Sequence, residues 1–184
     1  VFAVGFADSS IKFFYIRQKK NTNFDTRING NIEVELIMIK SEVLNLSPVT
    51  HLVFNEKTKK MAAGCFDSGE VFILCTEPNN LHVIGVLETL NKERLESIFW
   101  SRSNSYHLFV GASAASLLYF DTTPLCFTPE PLKPIYAQHG LSSLPRGFVT
   151  PSTSEIEDTH LLLCCDSSRR LVEFYDIHDF YKEQ

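Results

Sequence analysis

Apolar and polar positions alternate in short runs from the start of the chain. Val1 to Gly5 is mostly apolar, Ala7-Asp8-Ser9-Ser10 is a polar hinge, and Ile11 to Ile16 is apolar and aromatic again. Run, hinge and run predict a β-hairpin, because Asp and Ser hydrogen-bond to the local backbone and tolerate tight turns. The figure returns three times. Met61 to Phe66 leads through Asp67-Ser68-Gly69 into Glu70 to Leu74. His107 to Ala112 leads through Ser113-Ala114-Ala115 into Ser116 to Asp121. His160 to Cys165 leads through Asp166-Ser167-Ser168 into Leu171 to Asp176. Gly5, Gly64, Gly111 and Cys165 mark equivalent points, separated by roughly 50 residues, the length of a four-stranded unit with variable loops.

Each hairpin has candidate flanking strands. Val49 to Phe54 and the polar turn Asn55 to Lys60 precede the second hairpin. Leu95 to Trp100 and the turn Ser101 to Ser105 precede the third. Arg146 to Thr150 and the polar loop Pro151 to Thr159 precede the fourth. Outer strands are expected at Ile32 to Ile39, where Glu33 and Glu35 alternate with apolar neighbours, at Leu81 to Leu87 and at Ile135 to Ala137. No long stretch has the 3.6-residue period of an amphipathic helix, and Leu87 to Leu95 reads as a loop or a single turn. Short strands with regular turn signals predict an all-β protein. Repetition of a whole four-strand unit selects a β-propeller, here about three to four antiparallel blades near 1–40, 49–90, 95–138 and 144–184. The first unit has no first strand and the last has no outer strand. The chain is therefore expected to be an interior stretch of a larger propeller, and residues 1–184 alone are expected to fold poorly or aggregate.

These units resemble the repeats of WD-repeat β-propellers. Val49 to Cys75 (VTHLVFNEKTKKMAAGCFDSGEVFILC) is similar to one repeat from its first strand through its third. Val4 to Ile16 (VGFADSSIKFFYI) is similar to the second and third strands of another. Phe120-Asp121 and Tyr175-Asp176 stand where the family has Trp-Asp. Asp8, Asp67 and Asp166 match its turn aspartate, and His139-Gly140 stands at its loop histidine with the order reversed. No unit has both the Gly-His and the Trp-Asp elements. The resemblance implies a ring of stacked blades that serves as an interaction platform.

Composition agrees with stacked sheets. A four-stranded blade is apolar on both faces and buries them only against its neighbours. Phe occurs 15 times against a single Trp, and large flat side chains fill the space between twisted sheets. Small residues in the second strands (Ala62, Ala63, Gly64, Gly111, Ala112) allow close approach. A net charge of −5 argues against a nucleic-acid partner, which would select a concentrated basic face. No apolar stretch approaches the roughly 20 residues of a membrane span. The start lacks the basic and small-residue features of a secretory signal. Cys65, Cys75, Cys126, Cys164 and Cys165 are an odd count without paired C-x-x-C spacing, which reads as reduced thiols in a cytoplasmic protein. Adjacent Cys164 and Cys165 point to opposite faces of a strand, which disfavours a redox pair. Without secretory context, Asn45-Leu46-Ser47 is an accidental glycosylation match.

Candidate chemistry is sparse. There is no Gly-x-Ser-x-Gly, no phosphate-cradling Gly-rich loop and no His-Glu-x-x-His. His51, His82, His107, His139, His160 and His178 are scattered, none beside a Cys or carboxylate at ligand spacing. Glu155, Glu157 and Asp158 read as a solvated loop. The basic run Arg17, Lys19, Lys20 suits either solubility or an acidic partner. No catalytic, cofactor-binding or metal residue is assigned, and no small-molecule ligand is expected. The expected function is a non-catalytic protein–protein interaction scaffold within a larger multi-subunit assembly. Alternatives are an accessory propeller of a larger enzyme or of a trafficking, cytoskeletal or ciliary (axonemal) machine, and a propeller hydrolase with a central-channel site. The expected contact regions are the long loops Arg17 to Gly30, Thr122 to Pro134 and Pro151 to Thr159, since loops carry function on rigid scaffolds.

Overall fold

A computed structural model describes residues 2–18, 34–45, 47–77, 80–101, 104–126, 130–141, 144–149, 161–166 and 171–176; for residue 126 and from residue 146 onward only the backbone is described. The first sheet contains β1 (Phe2–Gly5), β2 (Ser10–Gln18) and β3 (Val34–Val43). The second contains β4 (Val49–Asn55), β5 (Lys60–Cys65), β6 (Glu70–Cys75) and β7 (His82–Glu88). The third contains β8 (Leu95–Trp100), β9 (His107–Ala112), β10 (Ser116–Asp121) and β11 (Tyr136–Gln138). The fourth contains β12 (Leu144–Val149), β13 (Leu161–Asp166) and β14 (Leu171–Asp176). Within each sheet the strands lie in chain order and pair antiparallel. The fold is all-β, and each predicted hairpin forms: β5–β6 and β9–β10 are the middle pairs of four-stranded sheets, while β1–β2 and β13–β14 each include an edge strand of a three-stranded sheet. The connection Thr89–Arg94 holds one 3₁₀ turn, Leu90–Lys92, in place of a helix.

Three strand boundaries differ from the sequence pattern. β3 starts at Val34 among the described residues and runs on through Lys40-Ser41-Glu42-Val43, because a bulge between the Phe13 and Phe14 pairs absorbs Ile39 and resets the alternation. β12 starts at Leu144, two residues before Arg146. It takes in Pro145 at a register shift, where a residue without an N–H does least harm. β11 is Tyr136–Gln138, one residue later than expected.

The core lies between the sheets. Ile11 and Phe13 of the first sheet pack with Met61, Ala63, Cys65, Phe72 and Leu74 of the second. The opposite face of the second, with Ala62, Val71, Ile73 and Leu87, packs against Leu95, Ile98, Leu108, Val110, Leu118 and Phe120 of the third. On the far face of the third, the stacked Phe99–Phe109 pair (ring centroids 4.7 Å apart) continues to Tyr119 at 5.1 Å. The small residues permit this spacing. A β-carbon on Gly64 would lie 2.4 Å from Ile98 Cδ1, and one on Gly5 2.6 Å from Val49 Cγ1. Among the described residues nothing covers the other face of the first sheet. Val34, Leu36 and Met38 of β3 point outwards with Ile16 of β2, and Leu36 is 58% and Met38 55% exposed, so the strand alternates with its apolar side in solvent.

The topology sorts the connections into two ends. The tight turns β1–β2, β5–β6 and β9–β10 share an upper end with the links between successive sheets. The turns β4–β5 and β8–β9 share the lower end with the β2–β3, β6–β7 and β10–β11 connections. β2 and β3 form nine residue pairs, against six for β6 and β7, so this ribbon extends further toward the lower end.

Candidate functional site

At the upper end the polar side chains are engaged with one another. Asp8 Oδ1 accepts from Ser10 N at 3.0 Å and Ser10 Oγ at 2.6 Å, and these bonds hold its carboxyl below the ordinary value. Asn45 Nδ2 donates to Ser68 Oγ (2.9 Å) and to Glu70. Ser47 Oγ accepts from Asp67 N (2.9 Å), Asp67 pairs with Arg94 (3.2 Å), and Ser116 Oγ donates to Glu93 Oε2 (2.7 Å). Gly69 holds a positive φ of 66° with Thr89 and Glu93 closed over it. Asp8 therefore fixes its turn through Ser10, Asp67 ties its turn to Arg94 of the following link in an exposed pair, and His139 is exposed. Asp166 and Tyr175-Asp176 have side chains outside the described residues.

The lower end is different. Asn55 is buried and closes the β4–β5 turn: its Oδ1 accepts from Lys57 N (3.1 Å) and Thr58 N (3.2 Å). Its Nδ2 donates across to Ser105 O of the next sheet at 2.7 Å. Trp100 Nε1 donates to Val53 O at 3.2 Å, joining the same two sheets. Between them lies an open groove of about 740 Å³, lined by Phe54, Asn55, Glu56 and Lys57 on one side and Phe99, Trp100 and Ser105 on the other. Phe54 is 51% and Tyr106 44% exposed. Lys59 Nζ stands 6.0 Å from the Phe54 ring centroid, and Lys60 Nζ 5.2 Å from that of Tyr106. Two buried polar atoms lack a hydrogen-bond partner among the described residues, Thr58 Oγ1 and Lys60 Nζ, and both belong to this turn. Desolvated polar atoms without partners are costly, so their concentration in one turn marks it.

Beside the groove, His107 joins a polar network. Asn104 Oδ1 accepts from Tyr106 N at 3.0 Å, which orients the amide so that Nδ2 faces His107 Nε2 at 2.8 Å. Nε2 therefore accepts, and Nδ1–H donates to the Tyr119 hydroxyl at 2.5 Å. Burial holds His107 below its ordinary value, against the opposing pull of Asp121. His51 sits between sheets with Nε2–H donating to Glu96 O at 3.2 Å, and burial lowers it too. Burial pushes the Cys65 thiol up to about 12, while Cys75 is half-buried. A thiol so rarely ionised is a packing group rather than a nucleophile. Among the described residues no three His, Cys, Asp or Glu side chains gather at metal-binding distance, and no helix is long and apolar enough to cross a membrane.

The loops expected to make contacts are placed in part. The strands that border 17–30, 122–134 and 151–159 all end at the lower end. Arg17 pairs with Glu35 at 2.6 Å. Part of 122–134 belongs to the frame: Leu125 fills the space beside Gly85, Leu132 bridges to Leu87, and Lys133 pairs with Glu88. Lys19, Lys20, residues 19–30, 127–129 and 151–159 with Glu155, Glu157 and Asp158, and the side chains of Cys126, Cys164, Cys165, His160 and His178 lie outside the described residues. In the sequence the Asn55–Lys60 stretch is marked only as a polar turn. Its Lys57, Lys59 and Lys60 in a chain of net charge −5 were the available signal.

No protein-family model matches the chain, and no curated protein matches it in sequence. Solved structures match it in fold. Sqt1 from Chaetomium thermophilum is 14% identical over 99% of this chain and 42% of its own, with a TM-score of 0.61. The same protein bound to the N-terminus of ribosomal protein L10 matches with a TM-score of 0.56. The C-terminal WD40 domain of Sif2 is 14% identical over 96% of this chain and 42% of its own (TM-score 0.59). A putative 6-phosphogluconolactonase from Bacteroides fragilis is 15% identical over 90% and 47% (TM-score 0.53). The fold is that of the WD-repeat β-propellers. The chain spans less than half the length of these structures.

Proposed function

We propose that this chain is a non-catalytic protein–protein interaction scaffold that works within a multi-subunit assembly and presents its lower end to partners. One observation carries the reading: the borders of all three long connections, the groove and the basic turn converge on one end of a stacked-sheet frame. Sqt1, solved with the N-terminus of ribosomal protein L10, supports it as an example of this fold holding a peptide segment. Free Cys65 and buried, unpaired thiol chemistry support a reducing, cytoplasmic setting. Service within a larger enzyme or a trafficking or ciliary machine is the same scaffold role in a different assembly.

The test is affinity capture with variants that shorten 19–30, 127–131 or 151–159 to Gly/Ser turns, sparing the packed Leu125 and Leu132. Loss of defined partners in at least one variant of unchanged melting temperature is expected. Retention of all partners in all three would refute partner binding through these connections. The lactonase neighbour adds a second assay, hydrolysis of 6-phosphogluconolactone, where no turnover above the uncatalysed rate is expected.

A further inference from the structure

We propose that the Asn55–Lys60 turn and its groove seat an acidic peptide segment of a partner protein that carries an apolar anchor. This inference rests on the scaffold reading and names the partner chemistry. A carboxylate is held by Lys60 Nζ and Thr58 Oγ1, and an aromatic or aliphatic side chain enters between Phe54, Phe99 and Trp100. Four observations converge. Lys60 Nζ and Thr58 Oγ1 are desolvated without hydrogen-bond partners among the described residues. A desolvated ammonium that has a ring face nearby but no hydrogen-bond partner is half of an ion pair, since cation–π attraction offsets only part of the lost hydration. Lys57, Lys59 and Lys60 against the single acid Glu56 make the turn basic in a chain of net charge −5. Phe54 and Tyr106, two of the large apolar side chains left in solvent, each carry one of these lysines. The adjoining groove joins apolar residues, Phe54, Phe99 and Trp100 among them, to polar ones that include Lys57 and Glu56.

The chemistry selects an acidic protein segment over a nucleic acid. One turn of lysines gives a charge footprint a few ångströms across, whereas a strand of phosphates needs a longer basic track. An anionic side chain with one apolar neighbour fits both the footprint and the groove. Tyr106 covers Lys60 in the free protein, so docking begins with rotation of this exposed ring, a change of rotamer that costs little time. Asn55 keeps its structural bonds throughout and is no part of the recognition.

The probe is a dye-labelled decapeptide of Asp and Glu with one central Phe, titrated into the intact protein and followed by anisotropy and by Trp100 emission. Saturable binding that weakens with salt is expected. Lys60→Met should weaken it about tenfold and Thr58→Val a few-fold, and replacing the peptide's Phe by Ser should cost about tenfold. Lys60→Met removes an orphaned charge, so its melting temperature should stay level or rise, which a merely structural lysine would not allow. The proposal fails if the wild-type protein shows no saturable binding, if Lys60→Met binds equally well, if a basic peptide or a single-stranded oligonucleotide binds as tightly, or if Lys60→Met melts several degrees lower. The two readings separate cleanly. Captured partners that ignore Lys60→Met but depend on the long connections would sink this seat and leave the scaffold standing. Peptide binding with no partner lost in any connection variant would do the reverse.

Discussion

Gly111→Ala tests whether close approach of neighbouring sheets is what the small residues are for. Gly111 pairs with Ser97 of β8 and faces β12 of the next sheet. A β-carbon there would lie 2.4 Å from Ser97 Oγ, 2.8 Å from Pro145 Cγ and 2.8 Å from the Pro145 carbonyl oxygen. The last is backbone and cannot swing aside. Ser97 Oγ donates to that same carbonyl at 2.9 Å in a buried bond between the third and fourth sheets. Alanine forces β12 back, which costs about 1–3 kcal/mol in overpacking. It also breaks the bond and strands two buried polar groups, about 1–3 kcal/mol more. The ordinary gain of replacing a strand glycine, about 0.5–1 kcal/mol, offsets part of this. The net is a loss of about 3 kcal/mol, or about 6–12 °C in melting temperature for a chain of this size. Thermal unfolding followed by circular dichroism reads it. Ser97→Ala alone should lose about 1–2 kcal/mol. The double variant should lose less than the sum by about 1 kcal/mol, because removing the hydroxyl relieves the nearest clash. A Gly111→Ala midpoint within about a degree of wild type, or strict additivity, would refute the argument.

Other outcomes follow from the same contacts. His51 and His107 are both held below 6.5, so the unfolded chain binds protons in the window between their depressed values and 6.5 while the folded chain does not. Stability should be full above that window and fall as pH drops through it, with melting midpoints from pH 8 to pH 5 as the measure and a flat profile as the refutation. Asn55→Ala removes the closure of its turn and the link to Ser105, and a loss of about 2 kcal/mol by denaturant titration is expected. Leu36→Glu and Met38→Glu on the uncovered face should change stability by less than about 0.5 kcal/mol yet reduce self-association in sedimentation, since they remove exposed apolar surface. Alkylation mapped by mass spectrometry should modify Cys65 only on unfolding, as its thiol is buried and titrates near 12.

The fold was legible because its signals are local. Each hairpin needs only two alternating runs and a turn of Asp, Ser, Gly or Ala, and all four appear in the structure. The misplaced boundaries sit where local pattern and pairing disagree: the bulge at Ile39, Pro145 at the start of β12, and the short outer strand β11. The solvent direction of β3 was illegible for another reason. Alternation says that two faces differ, and only the position of the neighbouring sheet says which is buried. The polar hub at the lower end was hidden because its parts come from distant positions. Asn55 meets Ser105, and Lys60 meets Tyr106, through stacking of successive sheets. The structural role of Leu125 and Leu132, inside a proline-rich connection that reads as a contact loop, emerges the same way.

The contrast between the two ends gives the lower end its meaning. At the upper end Asp8 is engaged by Ser10, Asn45 by Ser68 and Glu70, Asp67 by Arg94, and Glu93 by Ser116, within or between neighbouring turns. Those turns are short because antiparallel strands two and three must reverse at once, so their polar residues are occupied with closing the chain. Connections at the lower end are freer in length, and among the described residues the turn there that combines buried anchoring with spare polar capacity is Asn55–Lys60. Asn55 uses every group it has on its own turn and on Ser105. Thr58, whose own N–H Asn55 holds, and Lys60 two residues on have side-chain polar atoms without a partner among the described residues. A frame that holds a desolvated ammonium rigidly in place bears a standing energetic penalty. That penalty is removed when an anion arrives, which makes the free protein the strained member of the pair and lends binding part of its driving force.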